Sequence, residues 1–164
     1  MKRRRLQAAA AALTTWPLWA TTSARAQPVA RGDKIAWPAV RLIDGQAWPA
    51  PAGAAVVVFF SITCPFCRRH NAHVEKLRRN LAGRGPALLG VARDRDVSLV
   101  KRYMQDNALG FPVTMDHAAL AAMLATRHVI PLTVTIDRHG RMRQAIPGEM
   151  FEDDVLELAA LAGN

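Results

Sequence analysis

Cysteine is scarce in this sequence: 164 residues hold only two, Cys64 and Cys67, three positions apart. A disulfide framework needs more cysteines, spread further along the chain. A bridge between these two would close too short a loop to stabilise much by loop entropy. The pair therefore reads as chemistry and not as scaffolding. Acidic residues are missing from the first 26 positions, which hold Lys2, Arg3, Arg4, Arg5 and Arg25. Much of the formal net charge of +9 comes from that segment, and the other basic residues are scattered. The clustered basic stripe of a nucleic-acid-binding protein is absent, which excludes nucleic acid as a partner. Internal repeats and low-complexity tracts are also missing beyond the N-terminal segment. No apolar run reaches the ~20 residues of a membrane-spanning helix.

What is present fits one ordinary domain, with 51% apolar residues to build a core. Residues 1–26 have the order of a secretory signal. A basic Lys2–Arg5 region is followed by the uncharged, Ala-rich stretch from Leu6 to Ala20, broken by Pro17. Ala24-Arg25-Ala26 then supplies small residues before a cleavage point at Gln27. An uncleaved anchor is the alternative. Arg3-Arg4 followed by Leu6 also has the look of a twin-arginine signal. Export to a bacterial periplasm would place the mature domain, residues 27–164, where disulfides persist.

Along that domain the pattern alternates. Val40–Ile43 and Gln46–Trp48 form a hairpin on the Asp44-Gly45 turn. Ala54–Phe60 is a continuous apolar run, as expected for a strand covered on both faces. A helix is predicted from Pro65 to Asn80, with proline at an early position. Ala87–Ala92 is a second buried strand, and Ser98–Asn107 an amphipathic helix with Leu99, Val100, Tyr103 and Met104 on its apolar face. Phe111–Met115 is a short edge strand because it contains Pro112. Ala118–Thr126 is helical, Leu132–Ile136 is a β-branched strand, and Arg141–Ile146 returns from the Asp137–Gly140 turn. Glu152–Ala162 closes the chain as a helix with acids in its first turn. Strands alternating with helices imply parallel crossovers, and the last hairpin adds an antiparallel edge. The fold class is α/β: a three-layer fold with a central mixed sheet and helices on both faces, an N-terminal β-hairpin and an inserted strand–helix unit.

In Cys64-Pro65-Phe66-Cys67 a central strand delivers Cys64 to the start of a helix. Unpaired N–H groups and the helix dipole there favour negative charge, and the thiolate is the nucleophilic form of cysteine. Cys67 lies one turn further on and can attack a mixed disulfide on Cys64. Zinc or copper is the competing reading, with His70 and His73 completing a Cys-x2-Cys-x2-His-x2-His row. Ligands spaced by three progress around a straight helix and do not converge, so the two histidines read as an exposed face beside Arg68 and Arg69. A peroxidatic cysteine is a second alternative. Ser61 stands three before Cys64, but Val57 occupies the place where that motif has proline.

Taken in order, these features resemble the thioredoxin superfamily, and within it the TlpA/ResA-like periplasmic group. The matching features are Leu42-Ile43-Asp44-Gly45, the strand ending Phe59-Phe60-Ser61 before the cysteines, Leu89-Gly90-Val91 with Phe111-Pro112-Val113, and His128-Val129-Ile130-Pro131 followed by Ile136-Asp137 and Gly140-Arg141. The resemblance covers roughly residues 31–162. It implies a thiol–disulfide oxidoreductase with Cys64 attacking and Cys67 resolving, Pro131 cis, and Pro65, Phe66, Ile130 and Pro131 meeting the substrate. It implies no cofactor beyond the Cys64–Cys67 disulfide, protein thiol or disulfide substrates, a membrane electron donor and a monomer. Direction is open between dedicated reductase and oxidant or isomerase, with a Cu(I)-binding assembly chaperone as a third reading. Three departures stand out: Val58 where thioredoxins place a buried acid, Thr63 where tryptophan is common, and Phe66 where the group has glutamate or proline.

Overall fold

The computed structural model of the protein describes residues 29–124 and 129–163. The signal segment, His128 and the last residues of the helix expected over 118–126 lie outside them. Five strands form one sheet: β1 (Ala55–Phe60), β2 (Ala87–Ala92), β3 (Val113–Thr114), β4 (Leu132–Ile136) and β5 (Met142–Pro147). Their spatial order is β3-β2-β1-β4-β5. β1 pairs in parallel with β2, and β2 with β3, while β4 is antiparallel to both β1 and β5. Among the described residues, four α-helices flank the sheet: α1 (Pro65–Leu81), α2 (Val97–Asp106), α3 (His117–Met123) and α4 (Glu152–Glu157).

The apolar run of β1 is central, and every residue in it is buried. Its side chains alternate between two cores, because successive residues of a strand face opposite ways. Val57 and Phe59 join Leu89, Val91, Leu120, Val134 and the N-terminal Trp48 on one face. Val56, Val58 and Phe60 join Val74 and Leu77 of α1, Val100 of α2 and Val155 of α4 on the other. Burial of this kind contributes about 1.5–3 kcal/mol per large apolar side chain.

Asp44-Gly45 makes the expected turn: Gly45 has a positive φ of 91°, its N–H reaches Leu42 O, and Leu42 N–H bonds Gln46 O. The hairpin covers the sheet edge, since Ile43 N–H donates to Val113 O and Leu42 bridges Thr114. Covering an edge removes a template for association.

Three elements differ from the expectation. β3 pairs only over Val113–Thr114, because Pro112 has no N–H to donate and serves the ladder only as acceptor for Gly90 N–H. Leu99 is 48% exposed, because a helix of this length at the sheet edge buries a narrow stripe, here Val100 and Met104. The closing helix tightens into a 3-10 segment over Leu158–Ala162, a common way for terminal carbonyls to find donors.

Candidate active site

β1 ends at Phe60, and Ser61–Thr63 turn the chain into α1. Cys64 is the N-cap of that helix, with extended backbone (φ −88°, ψ 115°), and its Sγ accepts the Cys67 N–H at 3.2 Å. Cap side chains ordinarily satisfy an orphan N–H of the first turn; here the acceptor is a sulfur. Pro65 occupies the first helical position, where its missing N–H costs nothing.

The two thiols are free and their surroundings are unequal. Cys64 is half-buried, whereas Cys67 is fully buried. Burial, and then the hydrogen-bonded contact with Cys64, pushes the Cys67 thiol up to about 12. A partly exposed cysteine at a helix N-terminus beside an enclosed thiol is the division of labour that attack followed by resolution requires.

The Ile130–Pro131 peptide bond is cis. Pro131 is buried and precedes β4, and its carbonyl accepts the Gly148 N–H at 2.8 Å. Ile130 is half-buried against both cores, and Val129 is exposed. Pro65 and Phe66 are exposed beside the cysteines. The Arg69 guanidinium lies 5.0 Å from the Phe66 ring centroid and makes a two-pronged contact with Glu149, at 2.8 and 2.6 Å. Arg69 thus links the Phe66 ring to the segment that follows β5.

The histidines are not the exposed pair that their neighbours suggested. His70 is fully buried. Its Nε2 lies 2.9 Å from Thr133 Oγ1, and its Nδ1 accepts the Met150 N–H at 3.3 Å. That acceptor role leaves the proton on Nε2, facing Thr133. Burial, and then the neighbouring His73, hold the ring down at about 4, so it is neutral at physiological pH. His73 is half-buried, with Nδ1 3.2 Å from Met150 O. Spacing alone did not reveal this, because both partners come from distant strands and loops. Among the described residues, no group of three or more His, Cys, Asp or Glu side chains is placed to hold a metal ion.

Two further polar groups escaped sequence reasoning. Asn71, one turn after Cys67, is buried and donates to Tyr103 Oη at 3.2 Å. Burial raises the Tyr103 phenol, whose ring stacks on Phe60. Asp94, two residues beyond β2, accepts from Ser61 Oγ at 2.9 Å and from Ile62 N–H at 3.1 Å. Val58, in the place of the acid expected of thioredoxins, is buried at the α1-facing core.

The model of the AhpC/TSA family matches residues 42–145. A thiol-disulfide oxidoreductase, ResA, from Halalkalibacterium halodurans is 27% identical over 103 residues, which are 63% of this chain and 58% of that protein. The chain thus spans less than two thirds of that relative's length. Among solved structures, a putative protein disulfide isomerase from Bacteroides thetaiotaomicron superposes with a TM-score of 0.70 at 20% identity, covering 83% of this chain and 92% of the other. A putative thiol:disulfide interchange protein DsbE from Chlorobium tepidum gives 0.69 at 19% identity, over 82% and 99%. These likenesses establish the thioredoxin-like α/β architecture. The family match extends over most of the sheet and includes both cysteines and the cis proline, and the chain belongs to the AhpC/TSA family.

Proposed function

We propose that the protein is a periplasmic thiol–disulfide oxidoreductase acting as a dedicated reductase of partner proteins. The observation that carries this reading is the asymmetric pair, with a half-buried Cys64 at a helix N-terminus and a buried Cys67 thiol one turn behind it. The likeness to the thiol-disulfide oxidoreductase ResA supports the exchange chemistry, and the export-signal pattern of residues 1–26 supports the periplasm. No helix among the described residues is long and apolar enough to cross a membrane.

In the first step the Cys64 thiolate attacks one sulfur of a substrate disulfide. A Cys64–substrate S–S bond forms, the substrate's own S–S bond breaks, and its other sulfur leaves as a thiolate. In the second step Cys67 attacks Cys64 Sγ, and its proton passes to a substrate thiolate. The Cys64–Cys67 disulfide forms as the Cys64–substrate bond breaks, and the substrate leaves with both sulfurs reduced. Pro65, Phe66, Ile130 and Pro131 present the surface that a partner segment meets. A membrane-bound donor of electrons would restore the dithiol, and the domain would work as a monomer.

The reductant direction is supported by the resemblance of the ordered motifs, Leu42–Gly45 through Ile130-Pro131, to the TlpA/ResA-like group. A strongly oxidising pair owes its potential to a well-stabilised reduced form. Equilibration with glutathione redox buffers is expected to give a potential near thioredoxin's, about −270 mV, and far from the roughly −120 mV of DsbA. A value near the latter would assign the oxidant role. The peroxidatic reading loses support because Val57 lies mid-strand, paired with Leu89 and Val134, and not in a loop before the cysteine.

A further inference from the structure

The buried acid that position 58 lacks has a counterpart at the end of the neighbouring strand. Arg93 N–H bonds Phe60 O at 2.9 Å, tying the C-terminal ends of β1 and β2 together. The next residue, Asp94, reaches across with both carboxylate oxygens: Oδ1 accepts from Ser61 Oγ and Oδ2 from Ile62 N–H. Ser61 Oγ in turn lies 3.1 Å from Thr63 Oγ1, and Ser61 O accepts the Cys64 N–H at 3.2 Å. Every residue between β1 and Cys64 is thus held, directly or through Ser61, by one side chain 30 positions downstream of Cys64.

We propose that Asp94 is a positioning residue for the Cys64–Cys67 exchange, fixing the turn that delivers Cys64 and setting a negative charge against the reduced pair. Both donors to Asp94 named above are neutral groups, a hydroxyl and an amide, so neither cancels its charge. That charge is among those that raise the Cys67 thiol, after burial and the contacts with Cys64. Among the described residues, the Tyr103 phenol and Arg69 also interact electrostatically with the pair, and Arg68 with Tyr103. A carboxylate in this place disfavours any thiolate that the dithiol carries and leaves the uncharged disulfide unaffected. It therefore biases the pair towards the disulfide, which makes the dithiol the better reductant. The inference rests on Cys64 and Cys67 being the redox pair.

The test compares the full chain with Asp94→Asn and Asp94→Ala in glutathione redox buffers across the neutral-to-alkaline range. Asparagine keeps an acceptor for the turn and removes the charge. Its equilibrium constant for reduction is expected to exceed the parent's by about threefold at alkaline pH, with the gap closing as the thiols become protonated. Alanine removes the acceptors as well, so its exchange with dithiothreitol should be slower than that of the asparagine variant. An asparagine curve that coincides with the parent's, or is offset equally at every pH, would overturn the charge role. An alanine variant exchanging as fast as the asparagine variant would overturn the positioning role. If the parent itself showed no redox equilibrium, the proposed function would fail first, so the two failures are distinguishable.

Discussion

Cys64→Ser is expected to reduce disulfide-exchange activity to the uncatalysed background. A hydroxyl in place of the thiol cannot form the mixed disulfide, and the buried Cys67 is not placed to substitute for it, with no exposed surface and its thiol pushed up to about 12. The fold should survive, because the replacement is nearly the same size and a serine at the N-cap still offers an acceptor to the Cys67 N–H. Unchanged thermal unfolding together with lost reduction of a protein disulfide, followed by insulin turbidity, is the expected pair of results. Retention of a large share of the activity would mean that the chemistry resides elsewhere.

The second large effect is on stability in acid. Free histidine titrates near 6.5, but burial and then His73 hold His70 at about 4 in the folded protein. Between those values the unfolded chain binds a proton that the folded one refuses. A histidine depressed on folding thus lends stability that is fully present above 6.5 and lost as pH falls towards 4. From pH 7 to 4.5 the loss is about 2–3 kcal/mol at ~1.4 kcal/mol per unit. His70 is fully buried, so solvent screening does not blunt it. His70→Gln should be less stable at pH 7, having lost the paired contacts with Thr133 and Met150. Its urea-unfolding free energy should nevertheless decline less steeply with acid than the parent's. Parallel pH curves for the two proteins would contradict the buried-histidine account. The site of the effect matters, because Met150 follows Gly148 and Glu149, which hold Pro131 and Arg69. Charging His70 would loosen the segment that aligns the cis proline with the cysteine helix.

These two effects differ in how readable they were beforehand. The cysteine site was legible because its determinants are local: an apolar run, a proline at the first helical position and two cysteines one turn apart. Ala87–Ala92 and Leu132–Ile136 were read to the residue for the same reason, as short β-rich runs between turn formers. The pattern around His70 pointed the wrong way. Two arginines precede it, yet α1 packs on the sheet along the line Cys67, His70, Asn71 and Val74, and the partners of His70 are 63 and 80 residues distant. Asp94 was silent for a related reason. One acid among Arg93, Arg95 and Asp96 reads as solvated loop until the parallel pairing of β1 with β2 brings it to Ser61. Glu75 shows the same effect within α1: it is buried and bonded to Arg78, Arg79 and the Gly110 N–H, which turns part of a basic helix face into an internal network. Polar groups that meet across the tertiary structure leave no periodic signature.

The central claim is that Cys64 attacks and Cys67 resolves, and the Cys67→Ser variant tests it most directly. Without the resolving thiol, a mixed disulfide on Cys64 persists. Incubated with a disulfide-bonded protein substrate, this variant should accumulate an adduct that migrates at the summed mass under non-reducing conditions, that mass spectrometry maps to Cys64, and that dithiothreitol releases. The Cys64→Ser variant should accumulate none. Equal adducts on both single variants, or none on Cys67→Ser while the parent turns over, would contradict the assignment.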